Sequence, residues 1–382
     1  MGLTEWLMRE AVRDPRPLVV SVPYGTRTRL HVEAELAGRG WVTARSPAEA
    51  GMLVVCGEPG EEPAQAVRRV WADLPTPRAL VELPSVSDAA SVAQALDTGK
   101  ARLADARAQR RDAAERLSQP WSPDADEQAH RPEGGHGSHD AHGGHDHHMG
   151  SPGGLKMAER ADDRDGLKLD RLHLPWGPVL TDWPGGLVVE SAVQGDVIQH
   201  ATVKVVDGIS RDGEGSFWDA PWLEAMRGRR ITRGQAERRR AASHLDSLGR
   251  LLAVAGWPAE AARARRLRDR VLAGASLPQL ARAFDRFAGH VSGSRILRWM
   301  LRDVGDVGRR VRVWLTETRA SLDALADDSP LADDRGPRGP VSERPSARLL
   351  AELPDLLAGA ELAAARLIVA SLDPDVEQVL HA

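Results

Sequence analysis

Residues 46–57 read SPAEAGMLVVCG, in which a proline-containing turn leads into an apolar run that ends at a glycine. Such a run has the length and composition of a buried strand. Similar runs occur at residues 18–22 and 79–83, and residues 29–38 and 63–71 between them have helical character. Strands that alternate with helices indicate a parallel sheet with helices on its faces.

The rest of the first part of the chain fits the same architecture. Residues 41–43 read as a short strand, and residues 87–118 read as one helix rich in Ala and Arg. Residues 1–16 are a candidate for an amphipathic helix that prolines end. We therefore predict an α/β half-domain with a flavodoxin-like parallel sheet over residues 1–118.

The pattern changes at residues 119–168, which are rich in Pro, Gly, Asp and His and have no apolar period. A segment of this composition cannot bury enough apolar surface to offset the entropy that ordering would cost. We predict that it is a disordered linker, rich in His and Gly, between two folded parts.

Residues 169–382 have β-like runs followed by helices. The runs at residues 187–193 and 196–205 indicate a hairpin. Thr232 and Gln235 have the spacing of a capping box and open a helical repeat. We predict an α+β arrangement here, a mainly α-helical bundle domain with a small antiparallel sheet. Its helices are expected at about residues 232–255, 258–274, 277–289, 293–303, 307–326 and 346–368.

The chain has 382 residues, a formal net charge of −4 and a single cysteine, Cys56. This charge gives no overall attraction to nucleic acid or anionic lipid. One cysteine excludes an intramolecular disulfide, a zinc site of four thiolates, and an iron–sulfur cluster held by this chain's thiolates alone. Because Cys56 ends an apolar run, we expect it to be a small core residue.

The sequence has no long run of uncharged apolar residues, so no membrane span is expected. Its N-terminus lacks a charged region followed by an apolar core, so no signal peptide is expected. We predict a cytoplasmic protein that reaches the cytoplasmic face of a membrane only through a partner.

Three segments resemble the small, cluster-bearing subunit of respiratory complex I (NADH–quinone oxidoreductase) and of nickel–iron hydrogenases. They are residues 46–57, residues 66–71 (AVRRVW) and residues 74–79 (LPTPRA). In that family a strand ending in glycine precedes a helix, and a Pro-x-Pro-Arg turn leads into the next strand. The likeness covers residues 15–100, about the first half of that family's fold.

Two later stretches are similar to the partner large subunit of the same complexes. Residues 174–178 (LPWGP) and 185–198 are similar to its opening sheet, and residues 367–375 (LIVASLDPD) are similar to its terminal Ser-x-Asp-Pro segment. The predicted helices fit that subunit's bundle. The resemblance therefore implies a fusion of a small-subunit-like part and a large-subunit-like part, in that order.

The residues that hold cofactors in that family are missing from this sequence. The resemblance implies a cysteine in the loop at residues 25–30 and another near residues 85–87, and neither segment contains one. In hydrogenases the terminal Asp-Pro leads into nickel-binding cysteines, whereas Asp375 stands here. In the complex I branch a quinone-pocket histidine is implied at Leu180, and His173 lies a few residues upstream. No iron–sulfur cluster is therefore expected.

The strongest local signal is a set of closely spaced histidines, with aspartates among them, in the predicted linker. Imidazole and carboxylate groups are good ligands for zinc, nickel or copper. Ordering a flexible segment costs roughly 1–2 kcal/mol per residue, so we expect only weak binding of these metals. The candidate ligands are His136, His139, His142, His145, His147 and His148.

Three other groups of residues have plain structural interpretations. His173 is expected to be a loop residue, and Asp373 and Asp375 are expected to cap a helix or to face solvent. The arginines between Arg227 and Arg240 are expected to form a solvated face or to meet an acidic protein partner. No zinc finger, helix-turn-helix signature or interleaved aromatics indicate nucleic acid.

The resemblance and the missing ligands together favour a non-catalytic accessory, assembly or structural protein related to these complexes. Its expected partners are protein subunits of a respiratory or hydrogenase complex, and nucleic acid is not expected. Two alternatives stay open. One is a redox subunit that uses the cofactors of a partner, and the other is a metal-handling protein that acts through the histidine-rich linker.

Overall fold

The structure is a computed structural model that describes residues 12–118, 159–162, 168–210 and 215–380. The first part contains a three-stranded parallel sheet in the order β1 (Pro17–Ser21), β2 (Met52–Cys56) and β3 (Ala79–Leu83). The helices of this part are α1 (Thr26–Arg39), α2 (Glu61–Asp73), α3 (Ala89–Ala104) and α4 (Ala106–Ser118). The predicted α/β architecture is confirmed.

Strand β2 is apolar on both faces because helices cover both sides of the sheet. Met52, Val54 and Cys56 pack on the side of α1 and α3. Leu53 and Val55 point the other way and pack with α2. This alternation is the two-residue period of a strand, and all five side chains are fully buried.

Two predictions for this part are wrong. Residues 41–43 belong to no strand, and Trp41 instead packs in the core beside α3. Residues 87–118 form two helices because Asp105 interrupts them. Its carboxylate accepts hydrogen bonds from the N–H groups of the second and third residues after it, at 3.0 and 3.1 Å. Asp105 therefore begins a new helix, α4, as a capping residue does.

The second sheet is antiparallel, and its strands are neighbours in sequence order. They are β4 (Glu159–Asp162), β5 (Lys168–Trp176), β6 (Leu187–Gln194) and β7 (Val197–Val205). Gly195 lies between β6 and β7 with a φ of 62°, a conformation that a tight hairpin turn requires and glycine adopts readily. The predicted hairpin and small antiparallel sheet are confirmed.

The chain after β7 is mainly helical, as predicted. Its elements are α5 (Ala220–Met226), α6 (Arg233–Val254), α7 (Pro258–Leu272), α8 (Leu277–Gly293), α9 (Arg295–Met300), α10 (Val307–Asp323), β8 (Arg335–Gly336), β9 (Gly339–Pro340), α11 (Pro345–Leu357), α12 (Leu362–Leu372) and α13 (Glu377–Leu380). Helix α6 packs against α7, α10 and α12. Thr232 and Gln235 form the predicted capping box at its start. None of the helices in the described ranges is long and apolar enough to cross a membrane.

The helix predicted over residues 346–368 is instead two helices, α11 and α12. Gly359 lies between them with a φ of 80°. Its N–H group donates to the carbonyl of Ile198 at 2.8 Å, and the N–H of Ile198 donates to the carbonyl of Ala360 at 2.9 Å. The helix is interrupted because the chain pairs with strand β7 at this point.

The α/β part and the helical part share a close interface. Gly185 lies so near β1 that a Cβ atom there would stand 2.6 Å from the carbonyl oxygen of Ser21. Helix α1 packs against α7, and Leu30 of α1 belongs to the same apolar core as residues of α6 and α7. The two parts therefore meet in a buried junction, and polar side chains from both lie in it.

Candidate functional site

Glu377 of helix α13 joins three segments of the chain at this junction. Its Oε1 atom accepts hydrogen bonds from the N–H of Tyr24 at 3.0 Å and from the hydroxyl of Thr26 at 2.9 Å. Its Oε2 atom accepts one from the N–H of Phe217 at 2.9 Å. The loop after β1 is thus bonded directly to the segment that follows the terminal Asp-Pro.

The loop after β1 takes this position because of its backbone. Tyr24 has a φ of 65°, which is uncommon for a residue other than glycine. At Gly25 a Cβ atom would lie 2.0 Å from the carbonyl oxygen of Cys56, so only glycine fits there. This close approach holds the start of α1 against the end of β2 and places Thr26 and Arg29 at the junction.

A second cluster is built around Asp246 of α6, which is 1% exposed. Arg29 donates two hydrogen bonds to its carboxylate, at 3.2 and 2.7 Å, and Arg268 of α7 donates one at 2.6 Å. Arg250 donates another at 3.2 Å. Burial alone would raise the pKa of Asp246, but the three guanidinium groups hold it well below its usual range. The carboxylate is therefore charged and paired.

Glu33 of α1 belongs to the same cluster. It lies 2.7 Å from Arg29 and 2.6 Å from Arg268. Burial acts to raise its pKa, but the charges of these arginines and of Arg265 outweigh burial and lower the pKa to about 2. We call this cluster the junction network, and its members are Arg29, Glu33, Asp246, Arg250 and Arg268.

Asp373 and Asp375 are both buried, so the expectation of solvent exposure is wrong. The alternative, helix capping, is confirmed for Asp375, whose carboxylate accepts a hydrogen bond from the N–H of Glu377 at the start of α13 at 3.1 Å. Asp373 is the residue that ends α12, with a φ of 40°. Its carboxylate lies 2.7 Å from Arg338 and 3.0 Å from Arg250, and Arg338 also donates to its carbonyl oxygen at 2.7 Å. Because Arg250 also contacts Asp246, Asp373 is connected to the junction network.

Asp219, Asp375 and Glu377 form a group of buried carboxyls that we call the terminal carboxylates. Ser216 donates a hydrogen bond to Asp375, and Gln378 donates one to Asp219. Burial, followed by the charge of Asp375, raises the pKa of both Asp219 and Glu377 to about 7. The pKa values of Asp219 and Glu377 therefore lie close to neutral pH.

These side chains do not fit the metal centres that the resemblance implies. Iron–sulfur clusters are held by thiolates, whereas the carboxylates at the junction are occupied by N–H, hydroxyl and guanidinium donors. Cys56 lies in the core at the end of β2, and burial raises the pKa of its thiol. The prediction that Cys56 is a core residue is confirmed.

The histidines predicted to bind metal lie outside the described residues. They are His136, His139, His142, His145, His147 and His148. Within the ranges that the structure describes, no group of three or more His, Cys, Asp or Glu residues is arranged to hold a metal ion. Weak binding of zinc, nickel or copper by the histidine-rich segment stays a prediction.

The two residues considered for a quinone pocket, His173 and Leu180, lie in different surroundings. His173 is on strand β5, paired with Ala192, and is exposed, so the expectation of a loop residue is wrong. Leu180 is 40% exposed and lines a cavity of about 70 Å³ beside Arg29 and Glu33 of the junction network. The structure does not bring His173 into this cavity.

The arginine-rich stretch before and within α6 divides into two sets. Its first arginines, up to Arg230, are exposed, as expected of a solvated face. Arg238 instead donates to a carbonyl at the end of α7 at 2.8 Å. Arg239 lies over the ring of Phe217, with its guanidinium carbon 4.0 Å from the ring centre. The solvated-face interpretation is therefore wrong for the second set.

Sequence reasoning missed the junction network. Its local signal is spacing, because Arg29 and Glu33 are four residues apart, as are Asp246 and Arg250, and such pairs share a helix face. The contact between Arg29 and Asp246 joins residues 217 positions apart. Helical spacing contains no information about that contact.

Comparison with known proteins identified no relative whose function could be considered for this chain. No family model matches this sequence. A search of curated proteins also gave no match. The function is therefore inferred from the junction, and the relationship to complex I and hydrogenase subunits remains a proposal.

Proposed function

We propose that this chain is a non-catalytic accessory or assembly subunit related to complex I and nickel–iron hydrogenases. The bonds from Tyr24 and Thr26 to Glu377 carry the proposal. The resemblance implies metal-binding cysteines in the loop at residues 25–30 and after the terminal Asp-Pro. In this chain the carboxylate of Glu377 connects those two regions through hydrogen bonds.

The ion pairs around this contact support a structural use of the junction. Arg29, Asp246 and Arg268 are buried together, and Arg338 holds Asp373 nearby. Buried charges are costly unless they are paired, and the loss of one partner leaves the others uncompensated. The network therefore favours one fixed packing of the two parts, which a rigid docking module needs.

Helix α9 offers a surface on which a partner subunit would dock. Ile296 and Trp299 are three residues apart and are 72% and 68% exposed, so they share one face of the helix. Arg295 and Arg298 beside them are exposed as well. Exposed aromatic and arginine side chains are typical of interface centres. The complementary partner surface is apolar with acidic residues around it.

Affinity purification of the full chain from native membranes tests this proposal. The wild-type chain is expected to recover identified subunits of a respiratory or hydrogenase complex. Trp299→Ser is expected to lower that recovery by about tenfold or more, because truncation of an aromatic anchor costs about 2 kcal/mol or more. Mass spectrometry of the recovered proteins provides the measurement.

Leu356→Ser is the matched control for this experiment. Leu356 is also an exposed apolar residue, 45% accessible, but it lies on α11. Recovery with this variant is expected to equal that of the wild type. The proposal is contradicted if the wild-type chain recovers no subunit of either kind of complex, or if both variants lose the subunits equally.

A further inference from the structure

A cavity of about 550 Å³ lies between α6 and α10, next to the β8–β9 hairpin. This volume is in the range of sites that bind small molecules. Arg240 and His244 line it from α6, Arg310 and Trp314 line it from α10, and Arg335 lines it from β8. Neither the resemblance nor the proposed docking role assigns anything to this cavity.

Of the four acidic side chains in its wall, two are paired with arginines within the protein. Glu237 pairs with Arg240 and accepts a hydrogen bond from Ser321 at 2.7 Å. Asp373 pairs with Arg338 at 2.7 Å. The other two acidic side chains of the wall also have donors, since Glu317 lies 3.0 Å from Nε2 of His244 and Asp333 accepts a hydrogen bond from the N–H of Arg335 at 3.0 Å.

Arg310 and Arg335 make no ion pair with any residue in the described part of the chain. Burial, followed by the nearby charge of Arg309, lowers the pKa of Arg310, while the charges of Asp306 and Glu352 partly oppose this shift. A guanidinium group in such a place presents parallel N–H donors that match a carboxylate or a phosphate.

His244 adds a buried polar atom to the same wall. It is 2% exposed, and its Nε2 atom lies 3.0 Å from a carboxylate oxygen of Glu317. Burial lowers the pKa of His244, and its contact with Glu317 opposes this shift only in part. Buried polar groups in proteins nearly always have a hydrogen-bond partner. Glu317 supplies one for His244, which leaves Arg310 and Arg335 as the side chains of the wall that can bind a ligand.

We propose that this cavity binds a small organic anion whose carboxylate or phosphate group is held by Arg310 and Arg335. Trp314 stands one helical turn from Arg310, and Leu349 and Leu372 also line the space. The charged end of the ligand therefore accepts hydrogen bonds from guanidinium groups, while its apolar body packs against the indole and the leucines.

Isothermal titration calorimetry on the full chain tests the proposal with three probes, namely inorganic phosphate, phenyl phosphate and phenylacetate. We expect saturable binding at one site, with at least one of the two aromatic probes about tenfold tighter than inorganic phosphate because only they have an apolar body. Arg310→Gln is expected to weaken binding by about tenfold or more, since it removes a charge-assisted contact.

Arg309→Gln is the matched control, because Arg309 is the neighbouring residue but is exposed and paired with Asp306. It is expected to change the affinity by less than about twofold.

A preference for phenyl phosphate assigns a phosphate ligand, and a preference for phenylacetate assigns a carboxylate. If Arg310→Gln alters the circular dichroism spectrum, the exposed Arg335→Gln takes its place. The proposal is overturned if no probe binds saturably, if inorganic phosphate binds as tightly as both aromatic probes, or if the control weakens binding as much as the test variant.

Discussion

Asp246 lies between Arg29 of α1 and Arg268 of α7 and accepts hydrogen bonds from both. Arginine keeps its proton at any pH at which a protein folds, so the two buried guanidinium groups cannot become neutral. Their charge has to be balanced by a carboxylate. One residue of α6 thereby ties a helix of the α/β part to a helix of the bundle.

Asp246→Asn is expected to lower the free energy of unfolding by about 3–5 kcal/mol, because it leaves buried arginines without their counter-charge. Urea denaturation of the wild type and the variant measures the change. Asp306→Asn is the control, since Asp306 is exposed and pairs with Arg309 at the surface. The control should unfold at the wild-type urea concentration. A variant at position 246 that unfolds there too would show that the network adds no stability.

Asp219 makes the stability of the fold depend on pH. Its pKa in the folded protein is about 7, against an ordinary value of 3.8. Between these two values the folded state keeps a proton that the unfolded state has released. The favourable contribution is therefore complete below pH 3.8, and it is lost as the pH rises through 7.

Asp219→Asn keeps an oxygen that accepts the hydrogen bond from Gln378 and removes the ionisable group. The free energy of unfolding of this variant is expected to change less between pH 5 and pH 8 than that of the wild type. At pH 8 the variant should be more stable by about 1–4 kcal/mol. Urea denaturation at both pH values provides the measurement. Parallel pH profiles for the two proteins would contradict the assignment of a raised pKa to Asp219.

At the scale of single elements, Gly359 lies in the break between α11 and α12 and has a left-handed backbone conformation. Its φ is 80°, and a Cβ atom placed on it would meet no other atom within 4 Å. Gly289 is also free of neighbours within 4 Å, but it lies inside the regular helix α8. Because a Cβ atom would meet no neighbour at either glycine, alanine substitutions at the two positions report the effect of backbone conformation without side-chain crowding.

Gly359→Ala is expected to destabilise the protein by about 1 kcal/mol, because alanine disfavours a left-handed conformation. Gly289→Ala is expected to stabilise it by about 0.5–1 kcal/mol, because alanine favours a helix. Thermal unfolding of both variants measures these opposite shifts. Shifts of the same sign would mean that residue 359 does not need a left-handed backbone conformation.

Most elements could be predicted from local signals, and the errors arose where distant residues act. The apolar run of β2 and the capping box at Thr232 are contained within a few neighbouring residues. The break at Gly359 depends on pairing with β7, and the burial of Asp373 depends on Arg338, which lies 35 positions away. No periodicity in the sequence contains such contacts, so the candidate site could not be derived from it.

At the scale of the whole molecule, the junction network and the terminal carboxylates occupy the boundary between the α/β part and the helical bundle. Ion pairs and hydrogen bonds cross this boundary from α1 to α6 and α7, and from the loop after β1 to α13. We interpret this boundary as the remnant of a cofactor site that now holds a docking module together. This interpretation rests on the proposed relationship to complex I and hydrogenase subunits.

Iron–sulfur reconstitution followed by electron paramagnetic resonance tests the proposed non-redox role most directly. The purified full chain is incubated anaerobically with iron and sulfide, desalted and reduced, and its iron content and spectrum are then recorded. We predict no stoichiometric iron and no cluster signal, because the chain has one cysteine and that cysteine is buried in the core. Stoichiometric iron with a cluster signal that survives desalting would contradict the proposed role.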